Sequence, residues 1–390
     1  MKFVTSNRAT RVAFLVALGS VAWSPMASAF TKAPPVSDGS SGSFDGQIGS
    51  GSCLAWINVD NGQVWCTDSG GFVWVTLPFK TITYNGQSVH AFNFTDLNME
   101  STVNLTVYGS ASAVFLAQQN ISLAGQFKFQ NGTIAGGVPS NGNPNVNGGP
   151  GSGVGGGFGG QGEGGQVQAC NFGWFFTAGG GGGGGNFSVG LPGHKGYWAA
   201  DIPNPQHLPA GPGGTVEVSS TLQGGGGGGA GGGGNYGGNY YGGAPGGNGG
   251  GSVVFSTPGT ISIASTGIMD ARGINGGVVQ GTSGSSGGGA GGDEWFFART
   301  GFTNAGQLLT TGGAGGTNTY PKTACGDQSP VRGPNGGDGS GGVVLIKSAT
   351  IANSGTINVA GGDGKAKPNG GLVAHSTQID NTGQIIGQIH

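Results

Sequence analysis

Apolar residues come in short bursts along this chain, and the spacing between bursts repeats. Ile351 is followed four residues later by Gly355 and six later by Ile357. The same offsets join Ile379, Gly383 and Ile385, and again Ile121, Gly125 and Phe127, with Phe129 just beyond. Ile261 leads to Gly267 and Ile268-Met269 with a two-residue insertion, and Leu97 leads to Val103 with Ser101 in the glycine's place. A further burst precedes each of three copies: Val343-Val344-Leu345-Ile346, Ala113-Val114-Phe115-Leu116 and Val253-Val254-Phe255.

Each copy therefore reads as strand, bend, strand, glycine turn, strand. Leu97 to Ile121 is 24 residues and Ile351 to Ile379 is 28, the size of one coil of a three-sided parallel β-helix. Alternation such as Ile357-Asn358-Val359 sends one side chain inward and the next outward. Stacking coils would put Ile351 over Ile379 and Ile357 over Ile385, each burial contributing roughly 1.5–3 kcal/mol. One coil cannot bury its own face, so the repeats must stack. The glycine is expected at a corner with φ > 0, and Asn353 and Asn381 at bends where Asn bonds its own backbone. A sandwich would need turn signals every few residues; these stand only near Asp60-Asn61-Gly62 and Tyr84-Asn85-Gly86. No stretch after the N-terminus carries a helical period.

The N-terminus reads as a secretory signal: Lys2, Arg8 and Arg11, an apolar stretch from Val12 to Trp23, and Ala27-Ser28-Ala29 before Phe30. The expected organisation is signal 1–29, Ser/Gly-rich lead-in 30–52, β cap 53–90, coils 91–136, glycine-rich insertion 137–250, coil 251–275, second insertion 276–341 and coils 342–390. The runs Gly179–Gly185, Gly224–Gly229 and Gly231–Gly234 read first as flexible linkers. The alternative is extended left-handed helices packed side by side, since glycine lets backbones approach.

Composition supports a folded chain with a real core interrupted by glycine. Glycine supplies 94 of 390 residues, apolar residues 35% and charged residues 8%, with net charge −2. Disorder by charge does not fit this balance. Fourteen basic residues without a cluster argue against nucleic-acid binding. No second hydrophobic segment appears, so no integral membrane segment is expected once the signal is removed. The four cysteines are expected to pair. Three connectivities are open, and Cys53–Cys66 with Cys170–Cys325 is favoured. A two-residue turn at Asn61-Gly62 would set Ile57 opposite Cys66, so the first pair requires a different loop.

Candidate chemistry is sparse. His90, His194, His207, His375 and His390 lack metal-ligand spacing; no metal or cofactor is expected. Gly337-Asp338-Gly339-Ser340 reads as a turn and not as a calcium repeat. Asp270, Asp363 and Asp380 are the best acid–base candidates, and corner aspartates usually make turns. No catalytic residue is assigned. Trp174-Phe175-Phe176 and Trp295-Phe296-Phe297 repeat one tripeptide in two insertions. They could pack on each other beside Cys170–Cys325. Alternatively, with Tyr197, Trp198, Tyr236, Tyr240 and Tyr241, they form exposed platforms for a glycan or partner protein.

The segment 342–362, with Val343-Val344-Leu345-Ile346 and Ile351 to Val359, resembles coils of filamentous-haemagglutinin-like adhesins and autotransporter passengers. The likeness covers five coils, about a third of the chain, and lacks a secretion barrel or secretion domain. The glycine runs are similar to polyglycine tips of some phage adhesins, which carry no signal peptide. The resemblance implies a right-handed parallel β-helix acting as a surface stalk or adhesin, and it transfers no catalytic residue. The leading expectation is thus a secreted or cell-surface structural or adhesive protein, whose partners are surface glycans, envelope or matrix components, or other copies of itself. A carbohydrate-active β-helix enzyme and an ice- or surface-binding protein are the alternatives.

Overall fold

The computed structural model describes residues 33–44, 54–68, 71–131, 167–168, 174–176, 180–194, 213–214, 222, 224–232, 234–236, 239–241, 243–279, 283–317, 322–323, 330–331, 335–362 and 370–389. The fold is all-β and solenoid-like, with no α-helix among these residues. The stretch 1–29, read from sequence as a signal, lies outside them.

Parallel strands stack in three ladders. The first holds the N-terminal half of Gln87–Met99, then Ala113–Ala117, Ser252–Thr257, Asp293–Ala298, Val343–Ser348 and Gly371–His375, with Gln388–Ile389 above. The second takes the rest of Gln87–Met99, then Ile121–Leu123, Thr260–Ile263, Gly301–Asn304, Thr350–Asn353 and Gln378–Asn381. The third runs Leu54–Asn58, Asn104–Gly109, Gln126–Asn131, Ile268–Asp270, Gln307–Leu309, Thr356–Asn358 and Gln384–Ile386. At the N-terminal end Gln63–Asp68 and Gly71–Thr76 extend the third ladder antiparallel, and Phe79–Tyr84 forms a hairpin with Gln87–Met99.

The register realises the predicted stacking. Ile351 pairs with Ile379 and Ile357 with Ile385. Inside the first ladder Phe92, Phe115, Phe255 and Phe296 form a stack with centroids 5.5, 5.4 and 5.6 Å apart; such pairs add about 0.5–1.5 kcal/mol each beyond burial. Coil 1 differs from its expected copy. Leu97 aligns with Ile121, but Leu105 and not Val103 aligns with Phe127. A further coil, Asp293 to Leu309, stands within the stretch read as the second insertion. Ile379, in the last coil, is 55% exposed because no rung covers it.

The corner glycines are needed for a different reason from the one expected. Gly125, Gly267, Gly306, Gly355 and Gly383 do not have positive φ. A Cβ on Gly355 would instead collide with the Gly306 carbonyl of the coil below, and one on Gly383 with that of Gly355. The neighbouring asparagines bond across coils as well as locally. Asn304 Nδ2 donates to Asn353 Oδ1, and Asn353 Nδ2 to Asn381 Oδ1, both at 2.7 Å.

The described parts of the glycine runs are packed, not linker-like. The chain runs outward after each of the third-ladder strands Ile268–Asp270, Gln307–Leu309 and Thr356–Asn358 and returns just before a first-ladder strand, and the described outgoing and incoming runs lie side by side. Run 284–292 is surrounded by six others. Its amides donate in rotation: Gly287 and Ala290 to Gly229 and Gly226, Gly288 and Gly291 to Gly337 and Ser340, Gly289 and Gly292 to Ile274 and Ala271. Its carbonyls accept from Gly181 and Gly184, from Gly247 and Gly250, and from Gly313 and Gly316. A three-residue period matches an extended helix of three residues per turn, which has no internal hydrogen bonds to compete. Asp338, read from sequence as a turn residue, lies in this array and accepts from the Gly315 amide at 2.8 Å.

Candidate functional site

The ladders differ in what they offer to solvent. The outer face of the first is itself a core: Val114, Val254, Trp295 and Leu345 lie beneath Tyr84, Leu222 and Phe187. Strands buried on both faces read as unbroken apolar runs, as Val343 to Ile346 does. The second ladder turns outward a column of small or uncharged residues, Asn98, Ser122, Ser262, Thr303 and Ala352, ending at Asp380. Only the third combines aromatic rings, amides and charge.

On that face Trp56 stacks on Trp65 at 6.0 Å and 20°, and Trp65 meets Tyr108 edge-on at 5.2 Å. Alternation turns Asn104, Thr106, Gln126 and Lys128 outward while Leu105 and Phe127 point into the core. Lys128 is in register with Asp270 on the next coil. Asp270 is held by Arg272, whose Nε and Nη2 donate to its two oxygens at 2.8 and 2.7 Å; the pair pushes the guanidinium pKa further up. Burial pushes the Tyr108 phenol up and the Asp60 charge adds to it, against a hydrogen bond with Asn58. Tyr108 is therefore a neutral hydroxyl at ordinary pH.

Trp56, Thr106, Tyr108, Gln126, Lys128 and Asp270 are among the residues that line a groove in two halves of about 250 and 290 Å³, which meet at Lys128 and Asp270. One half runs from Trp56 over Gln126 to Ile268; the other runs from Tyr108 over Gln130 to Arg272 and the glycine array at Asn248. Aromatic rings and amides in a cleft suit a ligand with flat apolar faces and many hydroxyls. Among the described residues of the lining, Asp270 is the one carboxylate, and it is tied to Arg272.

The residues expected to form a site fare unevenly. Trp295, Phe296 and Phe297 are 1%, 0% and 4% exposed; they belong to the solenoid core and its outer cover and are not platforms. Trp174–Phe176 lies in a separate antiparallel sheet with Val167–Gln168, Gly234–Tyr236 and Asn239–Tyr241. The two tripeptides thus sit in different sheets. Backbone register sets Phe175 opposite Tyr236 and brings Tyr240 and Tyr241 into the same sheet. By the array's register this sheet stands at the end remote from the coils.

Tyr197 and Trp198 lie outside the described residues, as do Asp363, Cys53, Cys170 and Cys325. Each favoured cysteine pair includes at least one of these residues, so neither pair falls within the described residues. The Cys66 backbone pairs with Ala55, and Ile57 with Val64, so the loop after Asn58 is longer than two residues. Asp380 is exposed on the last coil. Of the two candidate carboxylates that are described, Asp270 lines the groove and Asp380 does not. Trp56, Trp65, Tyr108 and Lys128 were not singled out as site residues; the signal was the polar residue between Phe127 and Phe129, one coil below Asp270.

No protein family, no curated protein and no solved structure matches this chain.

Proposed function

We propose that this chain is an exported, non-catalytic adhesive or structural protein, a right-handed parallel β-helix that binds surface glycans through its third ladder. The aromatic and amide-lined groove across Trp56, Tyr108, Gln126 and Lys128 carries the reading. The hand is supported by the rule that parallel crossovers turn right-handed in about 98% of cases. Adhesion is supported by construction: the glycine array stiffens one edge of the solenoid without adding charge, and the coils resemble those of adhesins. Export rests on the N-terminal pattern of residues 1–29.

The direct test is retention of the full chain on immobilised polysaccharides. Trp56→Ala and Tyr108→Ala are expected to lower retention at least tenfold with the melting temperature of each variant checked alongside. Unchanged retention in both, or no binding to any polysaccharide in a broad panel, refutes the reading. Fractionation of producing cells should find the protein on the surface or in the medium; a cytosolic pool alone contradicts export.

A further inference from the structure

We infer that the groove selects acidic glycans, and that Lys128 is the residue that reads their charge; this rests on the glycan-binding role proposed above. Three charged residues line the two halves, Lys128, Asp270 and Arg272. The carboxylate of Asp270 accepts two side-chain bonds and one backbone bond from Arg272, the last at 3.1 Å. That pair is close to neutral as a unit. Lys128 is exposed, lies where the halves meet and forms no ion pair among the described residues. The groove is therefore net positive on a chain whose net charge is −2.

Position gives this charge its meaning. Lys128 follows Gln126 on the same outward column and stands one rung from Thr106. A sugar ring stacked near Trp56 would have its neighbour along the chain over Gln126 and Lys128. An ammonium on a flexible stem favours a carboxylate or sulfate as a point charge, and the gain is screened by salt because the site is open. Asp60 is the nearby opposing charge: it interacts with Tyr108 and is occupied by the Ser110 amide and hydroxyl. An acidic ligand would avoid that edge and lie toward Gln126.

The probes are polygalacturonate (carboxylate), dextran sulfate (sulfate) and uncharged dextran and galactan, each titrated against the full chain, Lys128→Gln and Trp56→Ala. The expected result has four parts. The wild type prefers an acidic polymer at least tenfold. Lys128→Gln removes that preference and flattens its salt dependence, so that it binds the charged and uncharged polymers alike. Trp56→Ala weakens all binding. Whichever acidic polymer loses most in Lys128→Gln identifies the anion. Equal binding of charged and uncharged polymers, or an acidic preference that survives Lys128→Gln, overturns the selectivity while Trp56→Ala still reports the groove. Binding that is indifferent to Trp56→Ala overturns the groove itself.

Discussion

A single methyl group at Gly288 tests whether the glycine array is packed as described. A Cβ there would lie within 3.0 Å of three backbone atoms, the carbonyl oxygen and carbon of Gly313 and the oxygen of Ala314. No side chain can rotate away, so the run 311–316 must move. Overpacking of this kind costs about 1–3 kcal/mol. Separation of the two runs also strains the bonds from Gly313 and Gly316 to Gly289 and Ser286, at about 1 kcal/mol each if lost. Gly288→Ala should therefore destabilise by about 3–5 kcal/mol, although in an ordinary chain alanine is the more stable residue. The control is Ala290→Gly, two positions along the same run, where the Cβ is already accommodated; it should cost no more than about 1 kcal/mol. Urea unfolding of both variants reads the difference. If Gly288→Ala is neutral or stabilising, the runs are not in contact and the reasoning is wrong.

Other perturbations probe the solenoid. Glu294 points inward between Val253 and Val344 and is fully buried; desolvation first, then the charges of Asp270 and Asp293, push its pKa well above 4.5. The folded chain then binds this proton more tightly than the unfolded one, so stability is greatest at low pH and falls as pH rises above 4.5. Glu294→Gln should remove that fall, its advantage growing by about 1.4 kcal/mol per unit of raised pKa; urea midpoints that shift in parallel between pH 4.5 and pH 8 contradict this. Phe255→Ala cuts the aromatic stack at its middle and should cost about 3–5 kcal/mol in urea unfolding; a cost below 1 kcal/mol would mean the rings do not form a common core. Asn353→Ala leaves the buried amide of Asn304 without its cross-coil acceptor and should cost about 1–3 kcal/mol; a thermal midpoint equal to that of the wild type would show the ladder to be incidental.

The ladders were legible because buried positions recur at fixed offsets. The coil from Asp293 to Leu309 carries the same offsets in Phe302, Gly306 and Leu308. Its repeat is obscured because an aromatic residue replaces the aliphatic one and glycine runs flank it on both sides. The array reads from sequence first as flexible linkers, since a run of glycines has no pattern of its own: its order comes from neighbours distant in sequence, through bonds such as Gly288 to Gly337. The buried Trp295-Phe296-Phe297 misled for a related reason. Both faces of the first ladder are covered, and sequence shows only one inward face by alternation. The groove was missed because its members come from separate coils, with Trp56, Lys128 and Asp270 brought together only by the parallel register.

Amide hydrogen exchange, followed peptide by peptide in the intact protein, addresses both stacked coils and packed glycine runs at once. Peptides covering 224–232 and 284–292 should be protected to nearly the level of those covering Val343–Ser348, since their amides are bonded to neighbouring runs. Exchange of those glycines at the rate of an unstructured chain, alongside protected coils, would contradict the account.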